Sequence, residues 1–506
     1  MTKHRASAAL LSLAALSVSA QVVTSQYDNA RTGANLRETV LTPRNVNSSQ
    51  FGKLFSLPVD GDVYAQPLYA PDLDIPGKGH HNVLFVATEH DSVYAFDAAG
   101  DPRAPLWQVN FTNSSSGIAT VQPRSLQCPF INPEVGITST PVIDPETRTL
   151  YVLARTQSHG HFFQHLHSLD ITTGAERPNS PVEIRAAGFD PLLENPRAAL
   201  LLASGSVYLT WASSCDVGAY HGWIIAYDAR TLQQQAAFNT SPNSSQSGIW
   251  ASDTGPAIDS RGNIFVATGN GKFDSAAGDY GDTLLKLQLD HSRFAVLDFF
   301  TPSDQENLNN KDNDLGSGGP LLLPDRPGAH PHVALIGGKG AVLYSIDRDH
   351  MGKFQSGAAA PLDSVRLGGG LLAAPAYWNG RIYVFATNDV LKAFALSDGR
   401  FQLLSQAPGG PFDPGATPAI SANGASDGIV WTVSGRTWEV FPEKLAVLHA
   451  FDAMDLSKEL YNSAEVSDRD RAGISIRFAI PAIANGRVYM GARGEVDAYG
   501  LLNSNH

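Results

Sequence analysis

One internal unit recurs about eight times along the chain, and this repeat constrains the fold more than any other feature. Each unit opens with a Gly-rich or polar turn, continues through a short apolar segment that usually contains a proline, and usually closes on a strand that ends in an aromatic residue or leucine followed by Asp. The openings are AQPLYA at Ala65, TSTPVID at Thr138, RAALLLA at Arg197, TGPAID at Thr254, GGPLLL at Gly318, AAPAYW at Ala373, ATPAIS at Ala416 and AIPAIA at Ala479. The closing strands are VYAFDA at Val93, LHSLDI at Leu166, IIAYDA at Ile224, LLKLQL at Leu284, LYSIDR at Leu343, LKAFAL at Leu391, LHAFDA at Leu448 and VDAYGL at Val496.

This repeat predicts the fold class. Alternating apolar and polar residues within the units are typical of strands that bury one face. Short strand units repeated radially give a propeller, in which neighbouring sheets cover each other's faces. We therefore predict an all-β, eight-bladed β-propeller over residues 51–502, preceded by an N-terminal extension over 21–50. The eighth unit has no outer strand after Gly500, so residues 51–59 are expected to supply one and close the ring.

Charge and hydropathy exclude two classes of partner. The formal net charge is −13. Nucleic-acid binding draws its affinity from Lys and Arg side chains that displace counterions, so we expect no nucleic-acid partner. Residues 1–20 have the positive start, the short apolar run and the Val-Ser-Ala ending of a secretory signal peptide. No later segment approaches the roughly 20 apolar residues of a membrane span, so the mature chain is expected to be secreted, extracellular or periplasmic, and soluble.

The sequence contains only two cysteines, Cys128 and Cys215. This number excludes a scaffold held together by many disulfides, and no Cys-x-x-Cys-His haem attachment motif is present. Export to an oxidising compartment is compatible with one Cys128–Cys215 disulfide, but two free thiols are equally compatible with the sequence.

Several segments resemble the quinoprotein alcohol dehydrogenases, which depend on pyrroloquinoline quinone (PQQ). The strand endings AFDAAG at Ala95, SLDITTG at Ser168 and AYDARTL at Ala226 are similar to the repeat of that family. Four longer segments, residues 211–232, 248–259, 265–287 and 337–354, are similar to its cofactor region and occur in the same order. The phrase DNARTGANL, residues 28–36, resembles a group of secreted PQQ-like propellers.

The resemblance implies a PQQ and calcium site with residues in named roles. The implied roles are Asp216 and Asn270 as calcium ligands, Trp250 stacked on the quinone, Lys339 in contact with the quinone, and Asp279 as catalytic base, with Asp282 as the competing choice. Calcium prefers carboxylate and amide oxygens, and it polarises a carbonyl as a Lewis acid. Each residue also has a structural interpretation, because most of them lie in turn-rich segments where Asp and Asn cap backbone donors.

Two departures from the family bear on cofactor retention and electron transfer. The family commonly has two adjacent cysteines beside the quinone, whereas Cys128 and Cys215 are far apart in the sequence. The tryptophan pattern that docks family blades is also largely missing, with Trp107 as its best remnant.

A histidine-rich segment offers a rival site. His165 and His167 of HGHFFQHLH are expected to share a strand face, where they could bind a transition metal, although such a segment is more typical of an exposed hairpin. Three functions remain open. The first is an exported oxidoreductase that acts on an alcohol or sugar hydroxyl and passes electrons to an external acceptor. The second is a cofactor-free binding or assembly scaffold, and the third is a hydrolase or lactonase with a metal in the channel.

Overall fold

The computed structural model describes residues 20–252, 254–354, 361–410, 412, 415–435 and 443–502. The predicted signal peptide, apart from Ala20, therefore lies outside the described residues. The fold is an eight-bladed β-propeller, as the repeat predicted. Within the described residues, no helix has the length and apolar character required to cross a membrane.

In each of seven blades, four antiparallel strands follow one another along the chain. Blades one to three comprise Leu68–Ile75, Gly79–Ala87, Ser92–Asp97 and Trp107–Asn110; Val142–Asp144, Thr149–Ser158, His161–Asp170 and Val182–Glu183; and Leu201–Ala203, Ser206–Ser213, Trp223–Asp228 and Gln234–Asn239. Blades four and five comprise Ala257–Ile258, Ile264–Ala267, Leu284–Asp290 and Arg293–Phe300; and Leu321–Leu322, Val333–Gly337, Val342–Asp347 and Asp363–Arg366. Blades six and seven comprise Ala376–Trp378, Arg381–Val384, Lys392–Ser397 and Arg400–Gln406; and Ala419–Asn423, Ser426–Ser434, Val447–Asp452 and Glu459–Asn462.

The eighth blade joins the two ends of the chain. The strand Phe51–Asp62 pairs antiparallel with Arg487–Leu501, which also pairs with Ala482–Ala484. Phe51 lies opposite Leu501 and Pro58 opposite Glu495. The predicted closure of the ring by the N-terminal strand is therefore confirmed. Closing the sheet this way leaves no blade without an outer strand, which removes an exposed edge.

The remaining elements are short and lie in connections between strands. Three strand pieces join the edges of blades: Ala34–Asn35 on blade seven, Ile118–Thr120 on blade two and Glu194–Asn195 on blade three. Phe273–Asp274 and Asp279–Tyr280 form a separate hairpin in blade four. The helices are Pro123–Leu126, Gln305–Asn310 and Ser467–Asp470, with 3₁₀ turns at Ser114–Ser116 and Leu315–Ser317.

The core lies between blades, where the inward faces of neighbouring sheets meet. One cluster packs Tyr151 and Leu166 of blade two against Trp211 and Ile225 of blade three, and all four side chains are buried. Burial of side chains this large contributes about 1.5–3 kcal/mol each. The alternation that predicted the strands thus reflects sheets that cover one another around the ring.

The N-terminal segment 22–35 passes around the axis inside the ring and contacts the blades in order, and we call it the plug. It hydrogen-bonds to the first, innermost strand of every blade. In blade order these bonds join Val22 N to Tyr69 O, Val23 O to Ile143 N, Asn29 Nδ2 to Leu202 O, Asn29 O to Ile258 N, Ala30 O to Leu322 N, Thr32 O to Tyr377 N, Gly33 O to Ile420 N and Asn35 Nδ2 to Ile483 O. The DNARTGANL phrase therefore forms most of a segment that ties the eight blades together at the axis.

Arg31 anchors the plug. Its side chain is completely buried, and its guanidinium donates to Thr24 Oγ1 at 2.9 Å, Ser25 O at 2.8 Å, Pro256 O at 2.9 Å and Leu200 O at 3.2 Å. Burial lowers the pKa of Arg31 to about 10, and the nearby Asp28 acts in the opposite direction. Hydrogen bonds from a charged donor are stronger than neutral ones, so this arrangement stabilises a buried cation.

Candidate functional site

A cavity of about 400 Å³ lies on the axis where the loops that lead into the inner strands meet. The loops that line the cavity lead into the inner strands. On each of these strands the plug contacts a residue about five positions after the cavity-lining residue, which is about 17 Å along an extended chain. The matching positions are Arg197 before Leu202, Ser317 before Leu322, Leu372 before Tyr377 and Phe478 before Ile483. The two features therefore lie at different depths on one axis.

Residues 111–137, which connect blades one and two, form one wall of this cavity, and we call this segment the cap. Leu126, Ile131 and Val135 of the cap pack with Tyr64 and Ile476 in a small apolar cluster. The cap is also bonded covalently to blade three, because Cys128 and Cys215 form a disulfide with a Cα–Cα distance of 5.5 Å. Both cysteines line the cavity, so the disulfide that the sequence left open lies at the site.

The structure brings three of the five sequence-predicted site residues to the cavity lining: Asp216, Trp250 and Lys339. Asp216 directly follows Cys215, and its Oδ1 accepts a hydrogen bond from Tyr220 Oη at 2.5 Å. Burial raises the pKa of Asp216, while the bond from Tyr220 and the charge of Lys339 lower it. Both Cys215 and Asp216 adopt positive φ angles, 56° and 55°, which turns the chain sharply at the cavity wall.

Trp250 reaches the cavity from the loop between blades three and four. Its ring meets the ring of Tyr220 edge-on, with centroids 6.3 Å apart. The buried Nε1 of Trp250 has no hydrogen-bond partner among the described residues. Gly269 permits this packing, because a Cβ there would collide with Trp250 Cδ1 and Asp314 Oδ1.

Lys339 is held between two carboxylates that the sequence reasoning missed. Its Nζ lies 3.0 Å from Asp312 Oδ1, 3.1 Å from Asp312 Oδ2 and 2.6 Å from Asp314 Oδ2. Burial acts to lower the pKa of Lys339, but the charges of Asp314 and Asp312 outweigh it and the pKa is raised. Lys339 therefore stays cationic at neutral pH.

Asp312 and Asp314 both line the cavity, but they differ in exposure. The side chain of Asp312 is 62% exposed and that of Asp314 is 1% exposed. Burial raises the pKa of Asp314 to about 6, although Lys339 and the backbone N–H of Asn270 lower it. Asp314 is thus a buried anchor for Lys339, whereas Asp312 presents its carboxylate to the cavity.

Asn270 lies behind this pair and is not part of the cavity lining. Its Nδ2 donates to Asp312 Oδ1 at 2.5 Å, and its backbone N donates to Asp314 Oδ1 at 2.7 Å. The buried Oδ1 of Asn270 has no hydrogen-bond partner among the described residues. A buried amide oxygen without a donor is the kind of atom that a cation can satisfy.

The structure does not bring Asp279, or its competitor Asp282, to the cavity. Asp279 belongs to the hairpin of blade four, where its completely buried side chain accepts from the backbone N of Asn243 at 3.0 Å. Asp282 accepts from Leu315 N at 3.1 Å and Gln305 Nε2 at 3.2 Å. Burial raises the pKa of Asp282 to about 8. Both carboxylates satisfy donors inside the fold, and this is the structural role that a turn-rich Gly-Asp loop also predicts.

In the sequence, Asp312 and Asp314 could have been identified from the segment KDND, residues 311–314, which lies shortly before the blade-five opening. Two carboxylates at alternate positions in a loop that leads to the axis are candidates for a site at the end of a propeller. Two cavity arginines, Arg197 and Arg477, were also missed, since each lies within or next to a repeat opening that was interpreted only as strand.

The histidines of the His-rich segment are not part of the cavity lining. His165 and His167 are on one strand with ring centroids 6.2 Å apart, His167 Nδ1 lies 2.6 Å from Glu176 Oε1, and Phe111 stacks on His167 at 3.7 Å. Over the described part of the chain, no group of three or more His, Cys, Asp or Glu side chains is arranged to hold a metal ion.

Residues in the cavity wall and directly behind it fit the cofactor pair that the resemblance implies. The volume lies within the 300–1,000 Å³ typical of small-molecule pockets, and an indole lines it. Asp216 and the unpartnered Asn270 Oδ1 are oxygen donors of the kind that calcium takes. Because the protein supplies few carboxylates, oxygens of the cofactor itself would have to complete the coordination.

No protein-family model matches the sequence, and no curated protein matches it either. Solved structures do match. The quinohemoprotein alcohol dehydrogenase ADHIIG from Pseudomonas putida HK5 aligns over 96% of this chain and 81% of its own, with a TM-score of 0.66 and 13% identity. The quinohemoprotein alcohol dehydrogenase from Comamonas testosteroni aligns over 96% and 82%, with a TM-score of 0.63 and 15% identity.

BamB from Moraxella catarrhalis aligns over 89% of this chain and 99% of its own, with a TM-score of 0.51 and 12% identity. At these low identities the likenesses show the fold alone. The chain is an eight-bladed propeller with the fold of these solved structures, and a shared fold does not by itself imply a shared function.

Proposed function

We propose that this protein is an exported oxidoreductase that oxidises an alcohol or sugar hydroxyl, with PQQ and calcium bound in the axial cavity. The observation that carries the proposal is the meeting of an indole, a carboxylate-bound lysine and an accessible carboxylate in one cavity at one end of the axis. Oxidation of an alcohol requires a base for the hydroxyl proton and stabilisation of the charge that develops on the acceptor. The cavity supplies a group for each task.

The chemistry divides among the residues as follows. Bound PQQ would supply the acceptor for the hydride, and Asp216 and Asn270 would hold the calcium that polarises it. Asp312 accepts the hydroxyl proton, since its carboxylate is exposed to the cavity and is oriented by Asn270 Nδ2 and Lys339 Nζ. Lys339 holds its positive charge beside the site where negative charge develops, and Asp314 fixes the lysine in place. Trp250 restricts the orientation of a flat ring by stacking.

The base in this proposal is Asp312 instead of the predicted Asp279. A proton acceptor must come within hydrogen-bond reach of the substrate hydroxyl. Asp312 borders the cavity and retains acceptor capacity, because a carboxylate has about four lone-pair sites. Asp279 fails the first condition, since its side chain is completely buried in the hairpin and does not border the cavity.

Export is part of the proposal, and so is an external electron acceptor. The Cys128–Cys215 disulfide supports an oxidising compartment, where such bonds persist. The sequence has no haem attachment motif, so electrons would leave through a separate protein or small-molecule acceptor.

The test is a calorimetric titration of the full mature chain with PQQ, with and without calcium, followed by dye reduction across a panel of alcohols. We expect calcium-dependent binding that the K339Q variant weakens about 10-fold or more, because a charged contact is lost. The matched control is K458Q, which removes an exposed lysine paired with Asp455 on the surface. If the wild-type chain binds no PQQ, the oxidoreductase proposal is wrong, and the scaffold hypothesis becomes the better explanation of the fold.

A further inference from the structure

A second cavity, of about 200 Å³, lies beside the axial cavity and is lined by residues of 304–315, residues of 338–344 and Arg366. We propose that this second cavity is a binding site for a small hydroxylated carboxylate, such as a sugar acid. Among the described residues, the two cavities have no lining residue in common. The proposal therefore does not depend on the reaction assigned to the axial cavity.

One thin wall separates the two cavities. In the segment 311–315 the odd-numbered residues line the second cavity and the even-numbered residues line the axial cavity. In the turn 338–340 the two glycines line the second cavity, whereas Lys339 lines the axial cavity. The backbone N of Lys339 donates to Asp314 O at 3.0 Å, and a Cβ at Gly338 would collide with that same oxygen. The wall is thus a single layer of chain with a separate set of side chains on each side.

The second cavity has a surplus of positive charge. Lys311 and Arg366 line it together with one carboxylate, that of Asp304, and all three side chains are exposed. Neither cation forms an ion pair with an acidic side chain among the described residues. The protein as a whole repels anions, since its formal net charge is −13. Two unpaired cations in one cavity therefore favour a ligand that carries a carboxylate.

The other polar groups of the second cavity match the hydroxyls of such a ligand. Asp304 supplies a hydrogen-bond acceptor, and the side-chain amides of Asn307 and Asn313 supply both donors and acceptors. A hydroxyl both donates and accepts, so it can pair with each of these groups. A simple inorganic anion would pair with the two cations but would leave the carboxylate of Asp304 facing it without a donor.

Tyr344 completes the lining of the second cavity. Burial and the charge of Asp304 raise the pKa of Tyr344 to about 12, while Arg366 acts to lower it. The phenol therefore keeps its proton at neutral pH and can donate to a ligand oxygen. Leu308 and Val342 also line the cavity, and their side chains offer an apolar surface to the carbon chain of the ligand.

The experiment compares three probes of similar chain length: gluconate, sorbitol, which lacks the carboxylate, and hexanoate, which lacks the hydroxyls. Calorimetry measures their binding to the full mature chain without added PQQ or calcium. We expect gluconate to bind about 10-fold or more tightly than either of the others, because sorbitol loses the charge-assisted hydrogen bonds and hexanoate loses the hydroxyl bonds. If the wild-type chain binds gluconate no more tightly than sorbitol or hexanoate, the inference is overturned, whether or not any variant folds.

Two variants locate the binding site. R366Q and K311Q should each weaken gluconate binding about 10-fold and leave sorbitol binding unchanged, since each removes one positive charge from the second cavity. The matched control is R400Q, because Arg400 is exposed on the outer strand of blade six and does not line the second cavity. R400Q should retain the gluconate affinity of the wild-type chain.

A third variant, D216N, distinguishes the two cavities. Asp216 lines the axial cavity and is not part of the shared wall, so D216N should leave gluconate affinity unchanged. If D216N changes gluconate affinity while R366Q and K311Q do not, gluconate occupies the axial cavity and the inference is wrong. If gluconate binds as expected to a chain that binds no PQQ, the second site stands and the oxidoreductase proposal fails.

Discussion

The two ends of the propeller axis are built from the same repeated strands, but one end is filled by the plug and the other encloses a cavity. At the plugged end, backbone groups of residues 22–35 and the side-chain amides of Asn29 and Asn35 pair with the inner strands of the eight blades, and Arg31 is enclosed by oxygen acceptors. At the cavity end, the loops that precede the same strands enclose open volume, and Asn270 Oδ1 and Trp250 Nε1 have no partner among the described residues. Most polar groups at the plugged end therefore stabilise the ring, whereas these polar groups at the cavity end remain available to a ligand.

Backbone strain does not by itself distinguish the two ends. Gln26 and Tyr27 of the plug have φ angles of 59° and 70°, and Ala251 and Asp312 at the cavity have 35° and 55°. The Nε2 and Oε1 atoms of the Gln26 side chain also have no hydrogen-bond partner among the described residues, so not every polar group at the plugged end is paired. What distinguishes the cavity end is the combination of open volume with opposite charges that face it.

The largest effect is expected from the plug. R31A removes a guanidinium that bonds to four oxygen atoms and leaves those acceptors buried, so we expect the free energy of unfolding to fall by about 4 kcal/mol. R37A is the matched control, since Arg37 is exposed just beyond the plug. Denaturant unfolding of both variants measures the two free energies of unfolding. Equal stability of R31A and R37A would show that the plug does not hold the blades together.

The second effect concerns chemistry at the cavity end. D312N retains a residue that tolerates a left-handed backbone but removes the proton acceptor, so dye reduction should fall about 100-fold with the unfolding midpoint unchanged. D398N is its control, because Asp398 is an exposed turn residue with a similar φ of 47°. If D312N is fully active, Asp312 is not the base and another residue accepts the proton.

The third effect separates the cap from the plug. Replacing both Cys128 and Cys215 with serine removes a crosslink that spans 87 residues, and the expected cost is about 2 kcal/mol. Limited proteolysis should then cut residues 111–137 faster and leave residues 22–35 protected, as followed by mass spectrometry. Equal acceleration in both segments would mean that the two ends do not open independently.

The smallest effect is a pH dependence. Burial raises the pKa of Glu89 to about 8, although bonds from Gly136 and Thr138 act to lower it. A carboxyl whose folded pKa is raised stabilises the fold below its unfolded pKa, and that contribution is lost as pH rises through the folded value. The E89Q variant should therefore gain at least about 1 kcal/mol relative to wild type between pH 5 and pH 9.

Thermal unfolding at both pH values measures this difference. E146Q, which changes an exposed glutamate in a turn, should show no such gain. A parallel shift of E89Q at both pH values would indicate altered packing without a titrating carboxyl.

The strands were predictable because their signal is local. Each observed inner strand begins a few residues after a predicted opening, for example Leu68 after Ala65 and Leu321 after Gly318. The alternation of apolar and polar residues indicates which face of a strand is buried, and this pattern is visible among immediate neighbours in the sequence. The strand that closes blade eight was predicted differently, because the eighth unit lacks an outer strand after Gly500 and residues 51–59 could supply one.

The site was only partly predictable. Asp216, Trp250 and Lys339 meet at the cavity, whereas Asp279 lies in a hairpin outside it. The assignment of Asp279 came from the resemblance of residues 265–287 to the family's cofactor region, but loop geometry decides which carboxylate reaches the axis. Asp312, Arg197 and Arg477 come from three different blades, and no periodic pattern reports their meeting.

The sequence by itself determined the number of blades, their order and the strand that closes the ring, since each follows from hydrophobic burial repeated along the chain. The tertiary structure alone decided which end of the axis is filled and which stays open. The physical reason is that the plug and the cavity both depend on bonds between residues hundreds of positions apart, such as Asn35 with Ile483, and these form only when the ring has closed.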